Sequence, residues 1–228
     1  MKIDKLTLSF QNKVVLRDVD LDIKPWEFVF FIWHSGSGKT TLIRSLIWDF
    51  KPERGDIVLD NGWFLYRNLT EKLLLDYRRS IGVIFQDYKL MESKTVYENV
   101  AFAMEVCGYK DRQIQRRVPQ ALEQVGLLLK QDTSVMELSG WEKQRVSIAR
   151  ALVHEPSIII GDEPTWNLDP VTAWEIIDIF IDLNKDGKTV IIATHDANIV
   201  NTLKKRVIAF KDKKVVSDIK GGQYNLET

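Results

Sequence analysis

Glycine, serine, lysine and threonine are concentrated in one short segment, and these residue types bind phosphate groups. The segment reads Trp33-His34-Ser35-Gly36-Ser37-Gly38-Lys39-Thr40-Thr41 and separates an apolar run from a segment with helical potential. Glycines let successive backbone N–H groups face one anion, a lysine provides charge for β- and γ-phosphates, and a threonine hydroxyl binds Mg²⁺. The pattern predicts a phosphate-binding loop, residues 33–41, in which Trp33 occupies the position of the usual first glycine.

Two carboxylates follow a second apolar run, and a histidine follows a third. Asp162 and Glu163 come directly after Ile158-Ile159-Ile160-Gly161, and His195 comes shortly after Val190–Ala193. Because parallel strands bind ligands at their carboxyl ends, we expect these side chains to converge with the phosphate loop. Asp162 would then hold Mg²⁺, Glu163 would polarise an attacking water, and His195 would orient that water against the γ-phosphate. Any one of these residues found alone would more often be structural.

The periodicity of apolar residues predicts the elements that position this chemistry. Strands are predicted at Ile3–Phe10, Val14–Leu21, Phe28–Ile32, Gly55–Leu59, Ile81–Phe85, Ser157–Gly161, Thr189–Ala193, Arg206–Phe210 and Lys214–Ser217. Helical patterns cover Thr40–Ile47, Thr95–Met136, Glu142–Leu152 and Val171–Leu183. Strand–helix alternation at both ends predicts a mainly parallel α/β core, and the helical stretch between Gln86 and Ser139 predicts an inserted lobe. We expect residues 1–228 to form one domain, with a core lobe of about 1–86 and 141–228 and a helical lobe of about 87–140.

The composition is that of an ordinary globular protein. Lysine plus arginine and aspartate plus glutamate both number 32, so the balanced charge gives no indication of a nucleic-acid partner. No apolar run approaches the roughly 20 residues that span a bilayer, and the first residues show no signal-peptide pattern. The single cysteine, Cys107, suits a reducing cytosol, and His154 is expected to be exposed or structural. We therefore expect a cytoplasmic protein without a transmembrane segment of its own.

The segment Leu138-Ser139-Gly140-Trp141-Glu142-Lys143-Gln144-Arg145 resembles the signature motif of the ATP-binding-cassette (ABC) family, and the resemblance covers nearly the whole chain. It implies a P-loop NTPase nucleotide-binding domain with a mainly parallel core sheet, an antiparallel β part and a helical subdomain. The implied cofactors are ATP and Mg²⁺, with Thr40, Gln86 and Asp162 as metal ligands and Glu163 and His195 as catalytic residues. The resemblance also implies that Phe10 stacks on adenine. The other residues that it implies to bind nucleotide are Trp33, His34, Ser35, Gly36, Ser37, Gly38, Lys39, Thr40, Thr41, Gln86, Ser139, Gly140, Trp141 and Asp169.

The family resemblance also implies partners. Members form a head-to-tail homodimer in which Ser139 and the backbone at Gly140–Trp141 would reach the γ-phosphate bound by the other subunit, and they drive a membrane partner. Phe85-Gln86-Asp87-Tyr88-Lys89-Leu90 and Lys94-Thr95-Val96-Tyr97-Glu98-Asn99-Val100-Ala101 look most like the FtsE branch. That likeness implies an FtsX-like permease as partner, at the inner face of the cell membrane. The alternatives are an ATPase subunit of a lipoprotein or macrolide exporter, a soluble cassette of DNA repair or translation, and a non-hydrolysing scaffold.

Tryptophan departs from the family pattern systematically. Of seven tryptophans, five stand where the family leads us to expect glycine: Trp26, Trp33, Trp48, Trp141 and Trp166. Because independent drift would introduce different residue types, we interpret this as a decoding effect, in which UGA codons that mean glycine have been read as tryptophan. A degenerate cassette that has lost turnover is the rival interpretation, and genuine core tryptophans are a third. We expect the fold to survive, with nucleotide binding, dimerisation and hydrolysis weakened in the chain as written.

Overall fold

The computed structural model describes residues 1–33, 38–59 and 70–225, and the backbone of residues 64–65. The chain divides into two compact units, the first consisting of Met1–Arg78 with Gly187–Thr228 and the second of Arg79–Asp186. The strands are β1 (Lys2–Phe10), β2 (Lys13–Asp22), β3 (Phe28–Trp33), β4 (Arg54–Leu59), β5 (Phe64–Leu65), β6 (Ile81–Ile84), β7 (Ile158–Asp162), β8 (Thr189–Ala193), β9 (Arg206–Lys211) and β10 (Lys214–Ile219). The helices are α1 (Lys39–Leu46), α2 (Glu71–Ser80), α3 (Val96–Glu105), α4 (Asp111–Gln124), α5 (Gly140–Leu152), α6 (Pro170–Lys185) and α7 (Ala197–Leu203).

The first unit contains an antiparallel sheet with the strand order β2-β1-β4-β5. Strands β1 and β2 are joined by a two-residue turn at Gln11 and Asn12, which have φ angles of 48° and 61°. Positive φ at both central residues is the type I′ geometry, whose twist matches that of paired strands. The backbone N–H of Arg17 in β2 donates to the carbonyl oxygen of Lys213 at 2.8 Å and so links this sheet to the β9–β10 hairpin.

The first unit also contains a mixed group of strands in the order β10-β9-β3-β8. Strand β3 pairs in parallel with both β8 and β9, and β10 pairs antiparallel with β9. Every residue of β3 and β8 is buried. This explains their unbroken apolar runs, because a parallel strand covered on both faces has no solvent side to mark with polar residues.

The second unit combines the parallel pair β6–β7 with helices α3, α4, α5 and α6. A Cβ atom on Gly82 of β6 would lie 2.6 Å from the carbonyl oxygen of Ala151 in α5. Glycine therefore allows the strand and the helix backbone to approach closely. Helix starts are marked by capping boxes at Thr95 with Glu98 for α3 and at Ser139 with Glu142 for α5.

The predicted α/β architecture, with parallel core strands, an antiparallel part and a helical part, is confirmed. Strand β8 has the predicted bounds, and the other predicted strands and helices differ by a few residues at their ends. The long helical stretch is broken after α3 and α4, where Gly108 and Gly126 have φ angles of 73° and 71°. Helices α2 and α7 were not predicted. No helix within the described ranges combines the length and apolarity needed to cross a membrane. The division into core and helical lobes stays a prediction.

Candidate functional site

The phosphate loop leads into α1 in the first unit. Helix α1 begins at Lys39, and Gly38 occupies its N-cap with φ 93°. A Cβ atom on Gly38 would lie 3.1 Å from Cβ of Val15, so both the conformation and the space favour glycine here. Lys39 and Thr41 are half-buried and Thr40 is exposed. The predicted site residues His34, Ser35, Gly36 and Ser37 lie outside the described residues.

His195 lies at the same edge of the sheet as the start of the phosphate loop. Strands β3 and β8 are parallel, with Phe31 opposite Ala193, and the backbone N–H of Thr194 donates to the carbonyl oxygen of Phe31 at 3.1 Å. The next residue, His195, is exposed. The first unit therefore places the start of the phosphate loop and His195 at the carboxyl ends of neighbouring strands, which is where such sheets bind ligands.

Trp33 is the last residue of β3 and is packed inside the first unit. Its side chain is 5% exposed, and its ring stacks on that of Phe210 with centroids 4.1 Å apart. The indole Nε1 is buried and has no hydrogen-bond partner among the described residues. Such an unmatched donor costs about 1–3 kcal/mol. Trp33 thus resembles a core residue in its packing but not in its hydrogen bonding.

The acidic residues and Gln86 occupy one edge of the second unit. Asp162 ends β7 and is 3% exposed, and Glu163 follows it and is 6% exposed. Glu163 has φ 48°, a left-handed conformation that is uncommon for a residue with a side chain and is often found at functional sites. Gln86 is exposed two residues after β6, which pairs with β7 so that Ile84 lies opposite Gly161. The second unit therefore brings these three residues to the carboxyl ends of two adjacent parallel strands.

The signature segment forms the beginning of α5, as predicted. Ser139 is the N-cap: its hydroxyl accepts from the backbone N–H of Glu142 at 3.4 Å, and its own N–H donates to the Glu142 carboxylate at 2.9 Å. Burial raises the pKa of the Glu142 carboxyl, but hydrogen bonds from Lys130 and Ser139 outweigh it and hold the pKa below its usual range. Gly140 is the first residue of the helix. The backbone N–H groups at the N-terminus of α5 could bind an anion.

Trp141, Asp169 and Phe10 have contacts of their own. The Trp141 ring lies against the Arg145 guanidinium, 4.7 Å from its central carbon. Asp169 caps α6 by accepting from the N–H groups of Val171 at 3.0 Å and Thr172 at 3.2 Å. The hydrogen bonds from Thr172 lower the pKa of the Asp169 carboxyl. Phe10 is 41% exposed, and its ring contacts that of Phe50 with centroids 5.8 Å apart.

Two residues of the second unit were missed as functional candidates from the sequence. Gln144 of α5 donates to the carbonyl oxygen after Glu163, and Arg150 of α5 donates to the carbonyl oxygens of Tyr88 and Lys89 in the loop after Gln86. The available signals were a buried glutamine inside the signature helix and an arginine in its last turn. Neither pattern identifies a partner, because each partner is distant in sequence.

The chain is similar in sequence and in fold to known proteins. The model of the ABC transporter family matches residues 16–166. The cell division ATP-binding protein FtsE of Streptococcus pneumoniae (strain D39) is 46% identical over 212 residues, covering 93% of this chain and 91% of that protein. FtsE of Bacillus subtilis is 44% identical over 217 residues, covering 95% and 94%. The dimeric post-hydrolysis structure of the ATP-binding cassette MJ0796, bound to ADP and Pi, superimposes with a TM-score of 0.85 at 33% identity, covering 98% of this chain and 99% of that one.

Proposed function

Because the chain belongs to the ABC transporter family, we propose that it is the ATP-hydrolysing subunit of an FtsE-like membrane complex that acts in cell division. One observation carries the proposal. In each unit, parallel strands present residues suited to phosphate chemistry at their carboxyl ends: the start of the phosphate loop and His195 in the first unit, and Gln86, Asp162 and Glu163 in the second. The same end of a strand is the ligand-binding end of α/β sheets in general.

ATP is bound mainly through its phosphates. The phosphate-loop residues from Trp33 to Thr41, including His34, Ser35, Gly36 and Ser37, and the N-terminus of α1 would bind the phosphates, and the Lys39 ammonium would neutralise their charge. The half-buried Lys39 can hold its ammonium in one place without losing access to solvent. Phe10 stacks on adenine, and its partly exposed ring supports this role.

The donor set fits Mg²⁺. Thr40, Gln86 and Asp162 offer a hydroxyl, an amide and a carboxylate oxygen, the hard ligands that this ion prefers. The described residues contain no group of three or more His, Cys, Asp or Glu that could hold a metal by itself. Mg²⁺ in nucleotide sites is usually bound through one or two carboxylates and the phosphates of the nucleotide. The metal would neutralise charge on the β- and γ-phosphates.

Hydrolysis depends on Glu163 and His195. Glu163 accepts a proton from the attacking water or polarises it, and its buried, conformationally restricted position favours one orientation of the carboxylate. The exposed His195 donates to the γ-phosphate and orients the water. Retention of Lys39, Asp162, Glu163 and His195 together argues against a scaffold that never hydrolysed ATP.

The working form is a homodimer that acts on an integral membrane partner. Ser139, Gly140 and Trp141 at the start of α5 bind the γ-phosphate held by the other subunit, and Asp169 contributes near the same interface. The dimeric ABC cassette reported above supports this arrangement. The FtsE names of the relatives support an FtsX-like permease and a position at the inner face of the cell membrane, and they do not favour the exporter alternative.

Hydrolysis of Mg-ATP by the purified chain tests the proposal. We expect Glu163→Gln to lower kcat by at least about 100-fold, a typical loss for a general base, and to accumulate an ATP-bound dimer in light scattering. The control is Glu92→Gln, the same chemical change at an exposed carboxylate of the second unit, which should keep full activity. A Glu163→Gln variant that hydrolyses ATP as fast as the control would contradict the proposed role.

The tryptophans in the motifs require a second series. The triple variant with Trp33→Gly, Trp141→Gly and Trp166→Gly should hydrolyse ATP faster than the chain as written. Equal rates in the two would show that these tryptophans are tolerated. Inactivity of both, with no nucleotide-dependent dimer, would remove the support for an ATPase.

A further inference from the structure

The loop that follows Gln86 contains two successive residues in the left-handed backbone conformation. Tyr88 has φ 57° and Lys89 has φ 52°. This conformation brings Cβ too close to the following carbonyl oxygen in L-residues, so two in succession persist only where the surroundings hold them.

Arg150, in the last turn of α5, provides the contacts that hold these two residues. Its Nη1 donates to the carbonyl oxygen of Lys89 at 2.5 Å, and its Nη2 donates to that of Tyr88 at 2.6 Å. Burial lowers the pKa of the Arg150 guanidinium, which nevertheless remains charged at neutral pH. A planar guanidinium fixes the angle between its donors, so it matches two adjacent carbonyls only when the turn has this shape.

Tyr88 connects the same loop to the opposite end of α5. Its hydroxyl oxygen lies 3.5 Å from the position that a Cβ atom would occupy on Gly140. Burial raises the pKa of the Tyr88 phenol, so the hydroxyl is neutral. One loop residue is therefore bound at its backbone near the end of α5 and touches, with its side chain, the beginning of α5.

We propose that Arg150 is a positioning residue that fixes the turn at Tyr88–Lys89 on α5, so that the Gln86 loop and the signature segment at Ser139–Gly140 move as one body. The proposal rests on the proposed ATPase function, which it deepens. Arg150 acts through the loop, because it holds the loop after Gln86 in a fixed position relative to α5. A displacement of the Gln86 loop is then transmitted through Tyr88 to the start of α5, and a displacement of α5 to the loop.

Kinetics of Arg150→Lys test the proposal. Lysine keeps the charge but donates from a single nitrogen, so it cannot hold both carbonyls in the required geometry. We expect kcat to fall about tenfold with KM for Mg-ATP changed less than about twofold, because the phosphate loop is untouched. Arg117→Lys is the matched control, since Arg117 binds Glu155 at 3.0 Å elsewhere in the second unit, and it should keep the parent kcat.

Rescue distinguishes positioning from general destabilisation. Lys89→Gly removes the Cβ that makes the left-handed turn unfavourable, so the double variant Arg150→Lys/Lys89→Gly should recover at least half of the lost kcat. A merely structural role predicts no recovery. Unchanged kcat in Arg150→Lys, or a loss of kcat that Lys89→Gly leaves untouched, would overturn the proposal.

Amide hydrogen exchange separates this proposal from the ATPase assignment, because it needs no turnover. We expect Arg150→Lys to speed exchange at residues 87–91 more than about tenfold while α3 keeps its protection. If exchange changes in this way but no variant hydrolyses ATP, the positioning role stands and the proposed function fails. If exchange at residues 87–91 is unchanged, the positioning role is wrong.

A second inference rests on Trp26, which occupies a turn position that usually holds glycine. Residues 24–27 form a turn closed by a hydrogen bond from the N–H of Glu27 to the carbonyl oxygen of Lys24 at 3.3 Å. Pro25 is the second residue of this turn, and Trp26, the third, has φ 67°. A type II turn has this form and takes glycine at its third position. The Trp26 ring is 71% exposed, so little burial offsets the unfavourable backbone.

Trp48 stands at the second such position, just after α1. Its N–H donates to the carbonyl oxygen of Ser45 at 3.1 Å, and the N–H of Asp49 donates to that of Arg44 at 2.9 Å. This pair of hydrogen bonds defines a Schellman motif with Trp48 at C′, the position that glycine dominates, and Trp48 has φ 62°.

We infer that the native chain carries glycine at positions 26 and 48, encoded by UGA codons that the source organism reads as glycine. The third position of a type II turn and the C′ position of a Schellman motif both favour glycine. Both positions hold tryptophan here, and a codon reassignment explains the two replacements with one cause. Trp33, Trp141 and Trp166 do not have left-handed backbones, so the backbone argument does not extend to them. They would also be glycine in the native chain if their codons are UGA. Trp174, half-buried inside α6, is an ordinary helix residue and should be encoded by UGG.

The gene and the native protein decide this directly. We expect UGA at codons 26 and 48, and glycine in the corresponding peptides of the native protein by mass spectrometry. UGG at either codon, or tryptophan in either native peptide, would overturn the inference. In the chain as written, Trp26→Gly should raise the melting temperature by a few degrees, whereas Trp174→Gly should lower it. Trp48→Gly does not isolate the backbone effect, because it also removes the contact of the Trp48 ring with the buried Tyr77 ring, whose centroids lie 5.9 Å apart. A lower melting temperature in Trp26→Gly would likewise contradict the backbone argument.

Discussion

Gln144 of α5 donates a hydrogen bond from Nε2 to the carbonyl oxygen of Pro164 at 2.7 Å. Gln144 is 1% exposed, and Pro164 directly follows Glu163, whose backbone is left-handed. Helix α5, which Ser139 caps, is thus bound at its second turn to Pro164, the residue after the proposed general base. Position and conformation of the Glu163 carboxylate therefore depend on α5.

Gln144→Leu should reduce both stability and turnover. Leucine is similar in size but leaves the buried Pro164 carbonyl without its donor, which costs about 1–3 kcal/mol. We expect a loss in that range by urea denaturation and a fall of roughly tenfold in kcat as the Glu163 loop loses its support. Gln115→Leu, on the exposed face of α4, is the control and should change neither. Normal kcat in Gln144→Leu would show that the Glu163 loop is held by other contacts.

Ser139 has a structural role and a proposed binding role, and two substitutions separate them. Ser139→Ala removes the N-cap of α5 and should lower the free energy of unfolding by about 1 kcal/mol together with activity. Ser139→Asp keeps an N-cap acceptor, but it sets a second carboxylate against Glu142, to which the Ser139 hydroxyl donates at 2.9 Å, so some stability should be lost here as well. At temperatures where this variant is folded, its negative charge should repel the γ-phosphate and abolish the ATP-dependent dimer. Light scattering with ATP measures the dimer. Full dimerisation of Ser139→Asp would exclude Ser139 from the phosphate site.

Tyr77 stabilises the first unit without taking part in the chemistry. It is fully buried, and its hydroxyl donates to the carbonyl oxygen of Leu46, near the end of α1, at 2.5 Å. Tyr77→Phe leaves that carbonyl without its donor and should lower the free energy of unfolding by about 1–2 kcal/mol, with kcat unchanged at temperatures where the protein is folded. Tyr97→Phe, at a half-buried tyrosine of α3, should cost less. A smaller loss in Tyr77→Phe than in this control would contradict the assigned hydrogen bond.

His154 should make the protein less stable in mild acid. Burial, with the nearby positive charges of Arg79 and Arg117, lowers the pKa of His154 to about 4. The unfolded chain binds this proton near pH 6.5, so stability is full above that pH and is lost as the pH falls toward 4, by up to about 2–3 kcal/mol. Urea denaturation between pH 7 and 4 measures the change. His154→Gln should flatten this part of the profile, and an equally steep profile in that variant would assign the acid sensitivity to other groups.

Most of the elements, and the residues proposed for the chemistry, were predicted from the sequence alone. Runs such as Phe28–Ile32 and Val190–Ala193 predicted buried parallel strands, because a strand covered on both faces is mostly apolar. The glycines and lysine of the phosphate loop, the Asp162–Glu163 pair and the signature segment indicated the family, since each function depends on residues that are neighbours in the chain. Helices α2 and α7 escaped prediction because α2 buries only Tyr77 and α7 has only seven residues.

The contacts that join the motifs could be identified only in the folded chain. Arg150 lies 61 and 62 residues from the two carbonyls that it binds, and Gln144 lies 20 residues from Pro164. Such contacts follow from the packing of α5 on its neighbours, and any buried glutamine or arginine has many possible partners in a sequence. The left-handed backbones at Trp26 and Trp48 likewise became visible only in the folded chain, because φ is set by the turn and helix end in which a residue lies.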